Sequence, residues 1–90
     1  MKSEYQYPID LDWEIEEMVM VTDFYALIEA AYEKNVSAET LLTQYAKFKT
    51  VVKSIAHEKT IDREFERASG YSIYKAMKVA KEKKKGKFSM

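Results

Sequence analysis

"WEIEEMVMVTDFYALIEAAYEK", residues 13–34, has the periodicity of a long amphipathic helix. At 100° per residue, its core-type side chains collect within an arc of roughly 160°. These residues are Trp13, Met20, Val21, Phe24, Tyr25, Leu27, Ile28, Ala31 and Tyr32. An arc of this width is typical of a helix that packs against several neighbours. The stretch therefore predicts a central core helix from about Trp13 to Lys34, with Asp12 as its N-cap.

Further helices are indicated on the C-terminal side of this segment. A second is predicted from Ser37 to about Lys53, because apolar side chains recur there at spacings of four, three and four. A third begins near Ser54 and stops at Gly70, and a fourth takes Ser72 as its N-cap. Only two glycines and one proline occur in 90 residues, so turn-rich β-structure is poorly supported. The expected fold is all-α, a small four-helix bundle.

Both ends of the chain differ from the helical middle. Pro8 disfavours helix at Tyr7, so residues 1–11 are predicted to form an extended arm lying across the bundle. At the other end, residues 84–90 follow a run of lysines, and we expect a frayed basic tail there. A 90-residue chain has room for one hydrophobic core, so residues 1–90 are predicted to form a single domain.

The composition indicates a soluble protein of a reducing compartment. There is no cysteine, which excludes disulfides, thiolate metal sites and a cysteine nucleophile. The N-terminus lacks the apolar stretch of a signal peptide, and no run of about 18 apolar residues could form a membrane span. We therefore expect a cytoplasmic location and no membrane partner.

No motif in the sequence requires a reaction or a cofactor. A Ser, His and carboxylate triad would have to use His57, the only histidine, which helical spacing places on the inward face beside Ile61. The paired histidine and Glu-x-x-His signatures of metal sites are absent, and there is no glycine-rich phosphate loop. Accordingly no cofactor, no metal and no catalytic residue is predicted.

One acid has an unusual position. Glu17 projects near the middle of the apolar arc of the first helix, between Phe24 and Ile28 in angle. A buried carboxyl there would need a partner and could act as a general acid or base with a raised pKa. An ordinary first-turn acid at the mouth of the core, favoured by the helix dipole, explains the same residue and is the preferred interpretation.

Charge is divided unevenly along the chain. Residues 1–33 carry nine acids and one lysine, whereas residues 34–90 carry fourteen bases and six acids. Tyr74, Lys78, Lys81 and Lys85 recur at helical spacing as one stripe, and Lys59, Arg63 and Arg67 form a second basic row. The two rows together are the candidate interaction surface, and solvated lysine stems covering an apolar rim are the simpler explanation.

These features favour a non-enzymatic helical interaction or adaptor module that binds a protein partner. Seven tyrosines exceed what a small core holds with every hydroxyl buried, and exposed tyrosines are frequent interface anchors. The alternative is RNA or DNA association through the same surface, with Tyr74 stacking on a base. A less favoured alternative is an enzyme that uses a buried acid such as Glu17. Ile15 and Val19 lie outside the apolar arc, which leaves homo-oligomer formation open.

Several short motifs resemble a known family. "YPID" followed by Trp13, then "FY", "AYEK", "YAKFK" and "SGYSIYK" are similar to a small uncharacterised family found mainly in low-GC Gram-positive bacteria. The resemblance covers about Tyr7 to Lys83. It implies a short, cytoplasmic, all-helical protein, and it implies no biochemical activity.

Overall fold

Four α-helices and two short strands make up the chain in a computed structural model that describes residues 7–90. Their bounds are α1 Ile15–Glu33, β1 Val36–Ser37, α2 Ala38–Val51, α3 Ile55–Ser69, α4 Ile73–Lys83 and β2 Lys87–Phe88. The all-α class and the four predicted helices are confirmed. The strands add one small antiparallel ribbon, in which Val36 pairs with Phe88 and Ser37 with Lys87.

The first helix lies at the centre of the core, as its apolar arc predicts. Its buried residues are Val21, Phe24, Tyr25, Ile28 and Ala31. Phe24 stacks on Phe48 of α2 at 4.5 Å between ring centroids, and Tyr25 meets Phe65 of α3 at 4.9 Å. Such aromatic pairs add about 1 kcal/mol each to the stabilisation from burial. Helix α1 therefore ties the core side chains of α2 and α3 together.

The other helix boundaries follow capping residues that the sequence indicates. The hydroxyl oxygens of Ser37, Ser54 and Ser72 accept hydrogen bonds from backbone N–H groups in the first turns of α2, α3 and α4. Gly70 ends α3 with a left-handed φ of 82°, a conformation that glycine adopts without steric cost.

The start of α1 differs from the prediction. Glu14, not Asp12, is the N-cap, and its backbone N–H donates to Oε1 of Glu17 at 2.8 Å. Asp12 lies in a preceding turn, where its own N–H donates to the carboxylate of Asp10 at 2.9 Å. The Glu14 carboxylate in turn accepts a hydrogen bond from the backbone N–H of Glu17, so the two residues form a capping box. Because this capping box sets the start of the helix, α1 begins two residues later than a cap at Asp12 would place it.

The described part of the predicted arm packs on the bundle. The Tyr7 ring lies 4.7 Å from the ring of Phe65 and 5.7 Å from that of Tyr25, and its hydroxyl donates to the Glu29 carboxylate. The Tyr25 hydroxyl donates to the carbonyl of Pro8 at 2.8 Å. Tyr7 and Pro8 therefore attach the arm to the bundle, Tyr7 to both α1 and α3 and Pro8 to α1. The rest of the predicted arm before Tyr7 lies outside the described residues.

The prediction of a frayed tail is wrong. Lys84 and Gly86 have positive φ values of 70° and 83°, which turn the chain back so that Phe88 is buried in the core. The backbone N–H of Met90 donates to the carbonyl of Ala31 at 2.7 Å, and Ala38 donates to the carbonyl of Gly86 at 2.8 Å. The tail thus satisfies one of the last carbonyls of α1, a group that has no partner within its own helix.

Candidate interaction groove

A groove of about 370 Å³ lies between α3 and α4. From α3 it is lined by Ile55, Glu58, Lys59 and Asp62, and from α4 by Ile73, Tyr74, Met77, Lys78 and Lys81. Spacings of three and four residues place each set on one helix face. Tyr45 of α2 completes the lining.

The connection between α3 and α4 is held from both sides, which fixes the two walls of the groove. The Asp62 carboxylate accepts a hydrogen bond from the backbone N–H of Ile73 at 3.1 Å, so the middle of α3 is tied to the first turn of α4. From α1, the Tyr32 hydroxyl accepts from the Ser72 N–H and donates to the Ser72 carbonyl, both at 3.1 Å. The groove is therefore a built feature of the fold.

The groove has an apolar floor and two exposed apolar walls. Ile73 and Met77 are buried beneath it. Ile55 on the α3 side and Tyr74 on the α4 side are 68% and 67% exposed. Large side chains held in water on both sides of a concave apolar surface are the features of a binding site for another molecule.

Glu58 is already engaged by groups from α2. Its carboxylate accepts from the Lys49 ammonium at 2.5 Å and from the Tyr45 hydroxyl at 2.6 Å. Burial alone would raise the pKa of Glu58. The two hydrogen bonds, together with the positive charges of Lys49 and Lys81, outweigh burial and lower this pKa. Burial and the same carboxylate raise the pKa of Tyr45, so its hydroxyl remains a donor.

Asp62 is likewise turned into the protein. Burial raises the pKa of this carboxyl, and the negative charges of Glu66 and Glu58 add to the effect, against opposing hydrogen bonds from the backbone N–H groups of Ile73 and Tyr74. Its acceptor capacity is therefore directed to the N-terminus of α4, where the positive end of the helix dipole lies.

The remaining charges of the groove are cationic. Within residues 7–90, neither Lys59 nor Lys78 makes an ion pair, and both are exposed. The Lys81 ammonium lies 5.1 Å from the centroid of the Tyr45 ring, an attractive cation–π position. Because the two carboxylates are occupied by internal donors, the side chains of the groove that remain free to form ion pairs are its lysines.

The structure brings together four of the seven residues of the predicted interaction surface. Lys59, Tyr74, Lys78 and Lys81 line the groove. Arg63 and Arg67 are exposed but do not line it, because successive steps of four residues rotate a position by about 40° around the helix. Lys85 lies beyond the end of α4, so the predicted stripe stops at Lys81.

Sequence reasoning missed other lining residues, chiefly Ile55, Tyr45 and the two carboxyls. Ile55 directly follows the Ser54 cap, and an apolar residue at this position indicates only that a helix begins there. Its exposure depends on the separation between α3 and α4, which no local pattern contains. The spacing of Ile55, Glu58, Lys59 and Asp62 on one face of α3 was the available signal.

Comparison with known proteins assigns the chain to a family. A sequence model described as "Uncharacterised protein family (UPF0223)" matches residues 4–89. A UPF0223 protein of Enterococcus faecalis is 51% identical over 87 residues, covering 97% of this chain and 95% of that protein. The chain belongs to the UPF0223 family. A UPF0223 protein of Streptococcus pneumoniae is 51% identical over 90 residues, covering 100% of this chain and 98% of the relative.

This assignment confirms the resemblance inferred from the short motifs. Both relatives come from low-GC Gram-positive bacteria, and neither their names nor the description of the family states a reaction, a ligand or a partner. Within residues 7–90, no helix is both long enough and apolar enough to cross a bilayer.

Glu17 of this UPF0223 protein is a half-buried first-turn acid. Its carboxylate accepts the Glu14 N–H at the start of α1, and it does not line the groove. Glu17 thus lies in the first turn and is the second member of the capping box of α1, a role that the sequence analysis does not predict. His57 is also half-buried, with its ring 6.1 Å from that of Trp13. Neither residue joins a group of three or more potential metal ligands among the described residues.

Glu58→Gln is expected to reduce stability in a pH-dependent way. Because the folded pKa of Glu58 is lowered, its contribution is present above its unfolded pKa of about 4.3 and is lost as the pH falls through the folded pKa. At pH 7 the variant should lose about 1 kcal/mol of unfolding free energy, and the gap to wild type should close in acid. Urea denaturation across a pH series measures this.

Glu64→Gln is the matched control for this experiment, because Glu64 is an exposed acid on the same helix. It should leave the unfolding free energy within about 0.5 kcal/mol of wild type at every pH. A gap for Glu58→Gln that persists unchanged in acid would mean that ionisation of Glu58 does not stabilise the fold.

Proposed function

We propose that this UPF0223 chain is a non-enzymatic, cytoplasmic interaction module whose groove between α3 and α4 binds a short acidic, amphipathic segment of a partner protein. The observation that carries the proposal is the exposure of Ile55 and Tyr74 on facing walls above a buried apolar floor. Exposed apolar surface of this kind is unfavourable in the isolated protein, and free energy is gained when a partner covers it.

The shape of the site favours a helical segment as its occupant. Two helices with an apolar channel between them accept the apolar face of a third element, whose side chains insert at every third or fourth position. Tyr74 would serve as the central anchor, because tyrosines at the middle of a protein interface often carry much of the binding energy.

The charges support an acidic occupant. Lys59 and Lys78 have no ion pair within residues 7–90, whereas Glu58 and Asp62 are held by internal hydrogen bonds. Carboxylates flanking the apolar residues of the bound segment would meet these lysines, which favours both its orientation and its rate of association.

Selection from a displayed library of random peptides tests the proposal. The immobilised protein should enrich peptides that combine large apolar residues with Asp or Glu. Enrichment should fail on a variant with both Ile55→Ser and Tyr74→Ala, two exposed positions whose replacement should leave the helical circular-dichroism spectrum unchanged. Peptides that bind both proteins equally, or basic peptides, would contradict the proposal.

Nucleic-acid binding is the second candidate, favoured by the position of exposed Tyr74 beside Lys78 and Lys81. An aromatic ring flanked by cations can stack on a base while the lysines contact phosphates. One observation disfavours it, since Arg63 and Arg67, the other cations of the predicted surface on α3, lie outside the groove. Titration of a labelled single-stranded RNA at increasing salt decides, since phosphate binding weakens steeply with ionic strength.

A further inference from the structure

An exposed apolar strip, formed by Ile9, Leu11, Ile15 and Val19, lies where the arm leads into α1. These are four of the seven large hydrophobic side chains that are exposed within residues 7–90. Ile15 and Val19 are one turn apart on the helix, are 77% and 51% exposed, and both border a shallow groove between α1 and α2. Apolar side chains scattered singly over a surface need no explanation, whereas a group confined to one segment marks a binding surface.

The charged residues of this segment are all acidic. Residues 7–33 contain eight acids and neither lysine nor arginine. Glu16 and Asp23 lie between the apolar strip and the side of α1 that faces α2, and Lys47 of α2 lies beyond them. Within residues 7–90, four of these acids are exposed and make no ion pair, namely Asp12, Glu14, Glu16 and Asp23. The border of the apolar strip is therefore an uncompensated negative charge.

Hydrogen bonds hold the elements around the apolar strip in place. The Gln44 side-chain amide donates to the carbonyl of Met20 at 3.0 Å, which ties α2 to α1 beside Val19. The Tyr25 hydroxyl donates to the carbonyl of Pro8 at 2.8 Å, which fixes the chain directly before Ile9. A surface that is already ordered costs less conformational entropy to bind than a flexible segment does.

Charge decides which kind of molecule this surface fits. An acidic segment or an anionic bilayer would be repelled by the carboxylates beside the apolar strip. A helix with one apolar face and with lysines or arginines along its borders would cover the apolar side chains and would supply opposite charges to the acids. The same complementarity would raise the rate of association.

We propose that the apolar strip is a docking site for a basic amphipathic helix of a partner protein. Apolar side chains of that helix cover Ile15 and Val19, while its cationic side chains pair with Glu16 and Asp23. No residue lines both this surface and the groove between α3 and α4. The two sites therefore select segments of opposite charge, and one chain can bind both at once.

Fluorescence anisotropy with a labelled synthetic helix of leucine and lysine tests the inference. Its leucines recur at spacings of three and four, so that they form one apolar face. Ile15→Ser with Val19→Ser should weaken its binding by about tenfold or more, because the apolar contact is lost. Glu16→Gln with Asp23→Asn should weaken it by about tenfold at low salt and by less at high salt. All four positions are exposed, so the helical circular-dichroism spectrum should not change.

Two matched variants and one matched peptide serve as controls. Glu64→Gln with Glu66→Gln removes the same charge from exposed positions of α3 and should leave the affinity for the leucine–lysine peptide unchanged. Ile55→Ser with Tyr74→Ala removes exposed apolar surface from the other groove and should also leave it unchanged. A peptide of the same composition, reordered so that its leucines spread around the helix, should bind at least about tenfold more weakly.

Three results would overturn the inference. The first is an affinity that Ile15→Ser with Val19→Ser leaves unchanged, and the second is an equal loss in the Glu64 and Glu66 control, which would mean unspecific attraction by charge. The third is a dimer of the free protein that the serine variant abolishes, because the apolar strip would then bind a second copy. Since the probe is basic and the groove variant is a control, failure here is distinguishable from failure of the groove to bind acidic peptides.

Discussion

Phe88→Ala is expected to lower the free energy of unfolding by about 3 kcal/mol, a large part of the stability of a small domain. Phe88 comes two residues before the end of the sequence, yet it is only 9% exposed and packs with the core cluster. Removing its ring leaves a cavity and weakens the pairing of Lys87–Phe88 with Val36–Ser37. Urea denaturation followed by circular dichroism measures the change.

Ser89→Ala is the matched control, since Ser89 is the exposed neighbour of Phe88. It should alter the unfolding free energy by less than about 0.5 kcal/mol. An equally small effect of Phe88→Ala would mean that the tail does not contribute to the core, and the description of the C-terminal ribbon would be wrong.

Tyr74→Ala is expected to weaken binding of an acidic amphipathic peptide by about 30-fold, corresponding to the ~2 kcal/mol typical of an interface anchor. The ring stands 67% exposed beside the floor of the groove, so its loss removes contact area without opening the core. Fluorescence anisotropy with a labelled peptide from the library selection measures the affinity. The thermal unfolding curve should stay close to that of wild type.

Tyr74→Phe separates the ring from the hydroxyl. We expect it to bind the peptide within about threefold of wild type, because the apolar ring provides most of the contact. Equal losses for the phenylalanine and alanine variants would show that the hydroxyl, and not the aromatic surface, holds the ligand. Unchanged affinity for the alanine variant would place the peptide elsewhere on the protein.

The helices could be predicted because their determinants are local. The apolar arc of α1, the serine caps and Gly70 all act within a turn or two of the chain, and the structure agrees with each of them. The prediction of Asp12 as the cap of α1 was wrong because a second acidic residue, Glu14, lies two residues further on. Glu14 has a partner at the third helical position, Glu17, whose carboxylate accepts its backbone N–H.

The docked tail could not be predicted from local pattern. Val36 and Phe88 pair across most of the chain, and a lone aromatic after a run of lysines has no helical or strand periodicity. Gly86 was the one local sign of a turn that would bring Phe88 back to the bundle. Closing so long a loop costs conformational entropy, and burial of the Phe88 ring offsets that cost. The site in which the ring is buried exists only in the folded core.

Only part of the candidate groove could be predicted, because only part of it depends on neighbours within one helix. Helical spacing identified Tyr74, Lys78 and Lys81 as neighbours, since that relation lies within one helix. Placing Lys59 beside them, and Arg63 and Arg67 away from them, requires the orientation of α3 against α4. That orientation depends on Asp62 and Tyr32, whose hydrogen bonds reach residues far along the sequence.

Photo-crosslinking in living cells tests the central claim, that the groove between α3 and α4 binds a protein. A benzophenone amino acid would replace Tyr74 in one strain and Glu64 in another, because Glu64 is exposed on α3 outside the groove. We predict one discrete crosslinked protein from position 74 that survives nuclease treatment and is absent from position 64. Crosslinks that disappear with nuclease, or the same products from both positions, would contradict the account.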